Sequence, residues 1–194
     1  MARRLSTALT FVVVAVVVAV FSILLSFAAG IHASLQASGS ESNLIILKTG
    51  ATAESTSILS PEEVGRIIQA PGIAKNAAGE LLVSPEQCVQ TSLQRKNQSG
   101  PANVAVRGVD QIAFDVHTEI KIVSGRRIAD AAMEVMVGKQ AQDRYAGLDL
   151  GGQIALGRTA NHTFKVVGVF EAAAGSLECE IWAPRTQIAD SYHR

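Results

Sequence analysis

The sequence predicts an α+β protein: one N-terminal transmembrane helix followed by a mixed, strand-rich extracytoplasmic domain. Three observations carry that reading. Residues 9–29 (LTFVVVAVVVAVFSILLSFAA) form an apolar run without a charge. Arg3 and Arg4 precede the run, and the first acidic residue is Glu41. From residue 43 onward, short apolar or alternating segments are broken by Gly, Pro, Asn and Ser, the pattern of short strands and small helices.

At 1.5 Å per residue, about 20 apolar residues span a hydrocarbon core of roughly 30 Å. Lipid offers no partner to backbone N–H and C=O groups, so this run is expected as one helix. Thr10, Ser22 and Ser26 are its only polar side chains, and their hydroxyls can bond back to helix carbonyls. The two arginines favour a cytoplasmic N-terminus by the positive-inside rule, which puts the domain outside the cytoplasm. The run exceeds the 7–15-residue apolar core of a signal peptide, so a retained helix is the reading. Ala28-Ala29-Gly30, and Ala33 in Ile31-His32-Ala33, offer small-residue sites that keep cleavage as the alternative. The expected division is 1–30, a transmembrane helix with a short cytoplasmic start; 31–42, a linker or helix extension; and 43–194, the folded domain.

Residues 43–48 (NLIILK) are continuous in apolar character and read as a buried strand. Residues 49–57 form a loop of small residues. Ser60-Pro61-Glu62-Glu63 opens a helix: Ser60 caps, Pro61 suits the first turn and Glu63 completes a capping box. Val64, Ile67 and Ile68 share one face, and Pro71-Gly72 ends the segment. Residues 79–94 read as an extended pair broken at Ser84-Pro85, with a polar hairpin tip at 94–101. Residues 103–109 alternate as a strand, a loop runs through Phe114, and 119–123 form another strand. Gly125-Arg126-Arg127 is a basic turn. Residues 133–137 form a strand, 138–145 a helix, and 153–156 with 163–170 a hairpin. Within that hairpin, Val167 and Val169 alternate with Val166 and Gly168 to give a core face. Residues 180–182 make the last strand, and Pro184 opens a final helical turn.

Charge and motif exclude several functions. The 17 basic and 17 acidic residues form no basic stripe with interleaved aromatics, so nucleic acid is not an expected partner. Gly138-Lys139 is followed by Gln140 and has Met133 in place of the first P-loop glycine, so any ATP must be bound by another subunit. Gly151-Gly152 lacks the rest of a dinucleotide fingerprint. His32, His117, His162 and His193 are scattered, and Asp115 with His117 on one strand face falls short of the three or four ligands zinc needs. No Gly-x-Ser-x-Gly elbow occurs. Glu178 and Glu180 would share a face of one strand, more simply a solvated edge than an acid–base pair. Arg126 and Arg127 read as a solvated turn, with lipid headgroups or a partner as the alternative. The sequons at Asn97 and Asn161 fall on hairpin tips. Cys88 and Cys179 are either bridged, which an oxidising compartment permits, or two small buried side chains. No catalytic, cofactor or metal residue is assigned, and the residues alone support a membrane-anchored binding or mechanical module.

The order of segments is more specific. A membrane helix is followed by NLIILKTG at 43–50, then by a capped helix ending in PGIA at 71–74. LVSPE at 82–86 and NVAVRGV at 103–109 come next, and then IVSGR at 122–126. VMVGK at 135–139, LDLGGQIALG at 148–157, FKVVGVFE at 164–171 and ECEIW at 178–182 close the series. This series resembles the N-terminal helix and periplasmic core domain of MacB/FtsX-type permease subunits of ABC transporters. The resemblance implies a strand-rich periplasmic core between the first and second of four membrane helices, with ATP hydrolysed by a separate or fused ATPase. Three further helices would then follow the ECEIW segment, so the domain is expected to be incomplete. The implied function is that of a permease-subunit fragment in the bacterial inner membrane, coupling ATP hydrolysis elsewhere to periplasmic conformational change. Implied partners are an ABC ATPase subunit, further permease segments or a second permease copy, membrane lipid and a periplasmic protein. The alternatives are a single-pass anchored binding module without transport activity and, if the helix is cleaved, a secreted domain.

Overall fold

The structure is a computed structural model that describes residues 2–37, 43–172 and 175–193. It falls into two units, Met1–Ser40 and Glu41–Arg194. The first is α1 (Ala2–Ala37), which contains a candidate membrane span, Thr7–His32, of mean hydropathy 3.0. Every side chain described in that span is exposed. Ser22 and Ser26 donate to the carbonyls of Val18 and Ser22, each at 2.8 Å, so neither hydroxyl faces the apolar phase unpaired. Of the linker or helix extension expected at 31–42, residues 31–37 continue the helix, and residues 38–42 lie outside the described residues.

The second unit is built on a mixed sheet of seven strands. They are β1 (Gln87–Gln94), β2 (Pro101–Val109), β3 (Lys121–Gly125), β4 (Glu134–Gly138), β5 (Gln153–Leu156), β6 (His162–Glu171) and β7 (Ile181–Pro184). The order is β1-β2-β7-β4-β6-β3, and β5 also pairs with β6. β2 with β7 and β4 with β6 run parallel; the other pairs are antiparallel. β3 and β5 share one edge of β6, since β3 pairs with its C-terminal half and β5 with its N-terminal half. The helices are α2 (Pro61–Ile68), α3 (Ala113–Val116), α4 (Lys139–Arg144) and α5 (Arg185–Tyr192).

Both faces of the central strands are covered, and these strands alternate between two cores, while β3 is exposed throughout. Val104, Val106, Val135, Val137, Ile181, Val166 and Phe164 face one core, closed by Ala141 of α4 and Ile188 of α5. Met136, Trp182, Val167 and Phe170 face the other, closed by Ala113 and Phe114 of α3 and by Ile128. In β6 the alternation breaks. Val166 and Val169 share a face, while Val167 and Phe170 share the opposite one, so the expected face of Val167 with Val169 is not formed. The cause is a bulge: β4 pairs Val135 with Val166 but Met136 with Gly168, skipping one residue. Gly168 is required there, because a Cβ would lie 2.2 Å from the Arg126 carbonyl oxygen. Gly138, where β4 passes into α4, is equally confined: a Cβ would lie 2.2 Å from the Glu178 carbonyl oxygen.

Several local expectations hold. α2 carries the full capping box, with Ser60 N–H donating to Glu63 Oε2 at 2.8 Å and Glu63 N–H to Ser60 Oγ at 3.3 Å. The 94–101 tip joins β1 to β2, with Gln94 opposite Pro101. Others are corrected. The stretch through Phe114 is the helix α3 rather than a loop. The pair expected over 79–94 is a single bridge, Lys75 to Leu81, followed by β1. The buried strand expected at 43–48 does not form. Among the described residues those residues join no strand, and Leu44, Ile45 and Ile46 are 89%, 74% and 51% exposed. A strand needs a neighbouring strand along its length, and among the described residues none runs beside this segment; only Lys48 is bonded through its backbone, to Ser57 Oγ and Ala51 N–H.

Candidate functional site

The region of interest is where residues 43–86, which follow the membrane helix in the chain, meet the sheet. This lobe has no fully buried residue, and among the described residues neither apolar core draws a member from it. α2 is amphipathic, yet buries nothing completely. A groove of about 300 Å³ runs between Leu47-Lys48-Thr49 and the Glu63, Arg66 and Ile67 side of α2. Within the lobe, Lys48 pairs with Glu63, whose carboxyl is held down to about 2 by that ammonium and by the Ser60 N–H. The lobe therefore carries an exposed apolar stripe from Leu44 to Ile46 and is held to the sheet by polar contacts.

Those contacts converge on Arg107. Arg107 lies in β2 opposite Cys88 of β1 and in register with Trp182 of β7, so the second face of the sheet changes from aromatic to charged at this point. Arg107 as a whole is 6% exposed. Its Nε donates to Glu180 Oε2 at 2.7 Å and its Nη2 to Glu180 Oε1 at 2.9 Å, a bidentate pair. Its Nη1 donates to Glu54 Oε2 at 2.5 Å and to Glu86 Oε2 at 2.8 Å, both from the lobe. Glu86 also meets His117 Nε2 at 2.7 Å, and Glu119 meets His117 Nδ1 at 3.3 Å. The indole N–H of Trp182 donates to Glu180 at 3.3 Å. Two further bonds tie the lobe to α3: Asn43 Nδ2 to the Val116 carbonyl and Asn76 Nδ2 to Asp115, each at 2.9 Å.

Burial works against the charge on Arg107, but the bonds and charge of Glu180, followed by Glu86 and Glu54, outweigh it and raise its pKa further. The neighbouring Cys88 thiol is pushed up, chiefly by burial, and so is a poor nucleophile. Cys88 and Cys179 are both free and half-buried, and Cys179 contacts Gln140.

The other singled-out residues are dispersed. Asp115 and His117 stand at the end of α3, not on a strand, and turn to different partners, Asn76 and Glu86. Glu178 accepts from Ala172 N–H and Gln140, while Glu180 serves Arg107, so they form no carboxylate pair. Arg126 is paired with Glu134, and Arg127 lies 4.6 Å over the Phe114 ring, so neither is a bare solvated charge. Among the described residues no group of three or more His, Cys, Asp and Glu is arranged to hold a metal ion. Arg107 fills the position between the Glu54, Glu86 and Glu180 carboxylates that a cation would need. Of this cluster, motif reading singled out His117 and Glu180 but not Glu54, Glu86, Arg107 or Glu119. The one available signal was an arginine within the apolar alternation NVAVRGV.

The sequence profile of the MacB-like periplasmic core domain matches residues 7–194, which include most of the candidate membrane helix. The chain belongs to that family. Among solved structures, the periplasmic region of MacB from Actinobacillus actinomycetemcomitans superposes with a TM-score of 0.51 at 15% identity, covering 76% of this chain and 67% of that one. The extracellular domain of the noncanonic ABC-type transporter YknZ from Gram-positive bacteria gives 0.48 at 15% identity, covering 70% and 67%. A domain of a permease protein from Porphyromonas gingivalis gives 0.41 at 14% identity, covering 64% and 52%. No curated protein matches. At these identities the MacB likeness establishes the fold, and the MacB-like assignment rests on the profile. The protein is thus a MacB-like periplasmic core domain of the ABC-transporter permease type, preceded by a candidate membrane helix.

Proposed function

We propose that this chain is a permease-subunit fragment of an ABC exporter-type system. In this reading α1 sits in the bacterial inner membrane with its N-terminus in the cytoplasm. The domain from 43 onward stands in the periplasm as an incomplete periplasmic core and has no catalysis of its own. A separate ABC ATPase hydrolyses ATP, and the domain converts that work into periplasmic motion. The observation that carries the proposal is the span of the family match, which includes helix and domain together rather than the domain alone. Arg3 and Arg4 before the apolar run support the orientation.

The exposed stripe at 44–46 and the α2 groove are the surface offered to the rest of the assembly. An unpaired apolar extended segment beside a half-covered amphipathic helix suits an added strand from further permease segments or a second permease copy. The MacB periplasmic region has about a third of its length unmatched here, which leaves room for such a strand.

The test is purification of the full chain from detergent-solubilised native membranes, with assay of the bound fraction for vanadate-sensitive ATPase. Co-purifying ATPase activity is expected, with the domain removable by protease added outside intact spheroplasts. Stable membrane anchoring with no associated ATPase would leave the alternative, a single-pass binding module. Release of the domain from carbonate-washed membranes would overturn both.

A further inference from the structure

Both ring nitrogens of His117 face carboxylates, Glu86 on one side and Glu119 on the other. A neutral imidazole has one N–H and one lone pair, so it can satisfy only one of them; the imidazolium donates to both. The ring stands edge-on to Trp182, with centroids 5.3 Å apart. Trp182 itself is locked between Phe114 and Phe170, at 5.7 and 5.3 Å. His117 therefore sits between the fully buried Trp182 of the second core and Glu86, the last residue of the lobe, in which no described residue is fully buried. We propose that His117 is a pH-operated latch. As the imidazolium it ties Glu86 of the lobe and Glu119 of the α3–β3 connection to the Trp182 face. As the neutral ring it releases one of them and loosens residues 43–86 from the sheet.

The charged groups around it favour that behaviour. Glu86 reaches His117 from the lobe, Glu119 from the segment before β3, and Arg107 from β2 through Glu86. Glu180, ahead of β7, and Glu54, from the lobe's short turn, complete the cluster. Arg127 lies on the far side of the aromatic group, over Phe114. Arg107 and protonated His117 together face Glu54, Glu86, Glu119 and Glu180; with His117 neutral, Arg107 faces them alone.

Burial disfavours the charge on His117, but the bond and charge of Glu86, then those of Glu119, outweigh it and raise its pKa above the ordinary 6.5. Burial likewise pushes the Glu86 carboxyl up, but His117 and Arg107 outweigh it and hold it below the ordinary 4.5. The His117 contribution is complete below the unfolded value and fades as pH climbs through its raised folded value. The Glu86 contribution is complete above its unfolded value and fades as pH falls through its lowered one. The latch is tightest in mild acid, between 4.5 and 6.5.

Trp182 is the chain's single tryptophan. A protonated imidazole in contact with an indole quenches its fluorescence, so the latch carries its own reporter. The experiment uses the full chain in detergent micelles. It follows Trp182 emission against pH and amide exchange at about pH 6 and about pH 8.5, corrected for the intrinsic exchange rate. Emission is expected to rise in one titration centred above 6.5. Protection of residues 43–86 is expected to fall about tenfold over that interval, while β4, β6 and β7 hold theirs. His117→Gln abolishes both changes. Glu119→Gln keeps the Glu86 bond and moves the midpoint down. Exchange in 43–86 that ignores pH, or that rises equally across the whole sheet, would overturn the latch, as would unchanged pH behaviour in His117→Gln. Should His117→Gln fail to fold, an unshifted midpoint in Glu119→Gln overturns it alone.

Discussion

Arg107→Ala is expected to destabilise the domain by about 3–5 kcal/mol, because it leaves a buried carboxylate cluster without its cation. Glu180 is itself 7% exposed and keeps only the Trp182 N–H once the guanidinium is gone. Glu86 would retain His117, while Glu54 would swing to solvent and free the lobe. Urea unfolding of the full chain in mild detergent, followed by Trp182 emission, measures the loss. The double change Arg107→Met with Glu180→Gln should cost less than the sum of its parts, since it removes both charges of the bidentate pair. A loss under about 1 kcal/mol in Arg107→Ala would mean that solvent reaches the cluster and that the lobe is held by something else.

Trp182→Ala is expected to cost a similar amount, about 3–5 kcal/mol, the usual range for emptying a large aromatic site. Trp182 is fully buried and touches Phe114, Phe170 and His117, so its loss opens the second core at the point where the charge cluster begins. Trp182→Phe should be milder, about 1 kcal/mol, because it keeps most of the packing and loses the N–H bond to Glu180. Far-UV circular dichroism during urea unfolding reads both variants, since neither retains the fluorescent probe. Equal losses in the two variants would show that the hydrogen bond, not the packing, sets the stability here.

The two substitutions also mark what the sequence reveals and what it conceals. Features whose partners lie within a few residues were legible. The capping box links Ser60 to Glu63, and the β5–β6 hairpin pairs Leu156 with His162. The charge cluster was not legible, because Arg107 finds Glu86, Glu54 and Glu180 at separations of 21, 53 and 73 residues. No spacing rule reaches that far. The bulge in β6 was hidden for another reason: both faces of the central strands are covered, so Val166, Val167 and Val169 are apolar whichever way they point. The segment at 43–48 misled for the opposite reason. Its apolar residues are those of a buried strand, but burial depends on a neighbour, and composition does not say whether that neighbour lies in the same 194 residues.

The exposed stripe, the polar seam and the membrane helix belong to one mechanical reading. Residues 43–86 come next in the described chain after α1 and are attached to the sheet by polar contacts rather than by a core, so in the proposed function they are the part of the domain expected to respond first. Their attachment is adjustable by protonation at His117 and breakable at Arg107, whereas the central strands behind Trp182 are packed on both faces and should move as a unit. Coupling of the domain to an ATPase then has a defined place to be seen. The most direct measurement is amide exchange of the full chain in native membranes together with the ATPase proposed to drive it, compared with and without ATP and vanadate. Altered protection across 43–86, with β4, β6 and β7 unchanged, is the predicted result. Identical exchange in both states, with the ATPase bound and turning over, would contradict the account.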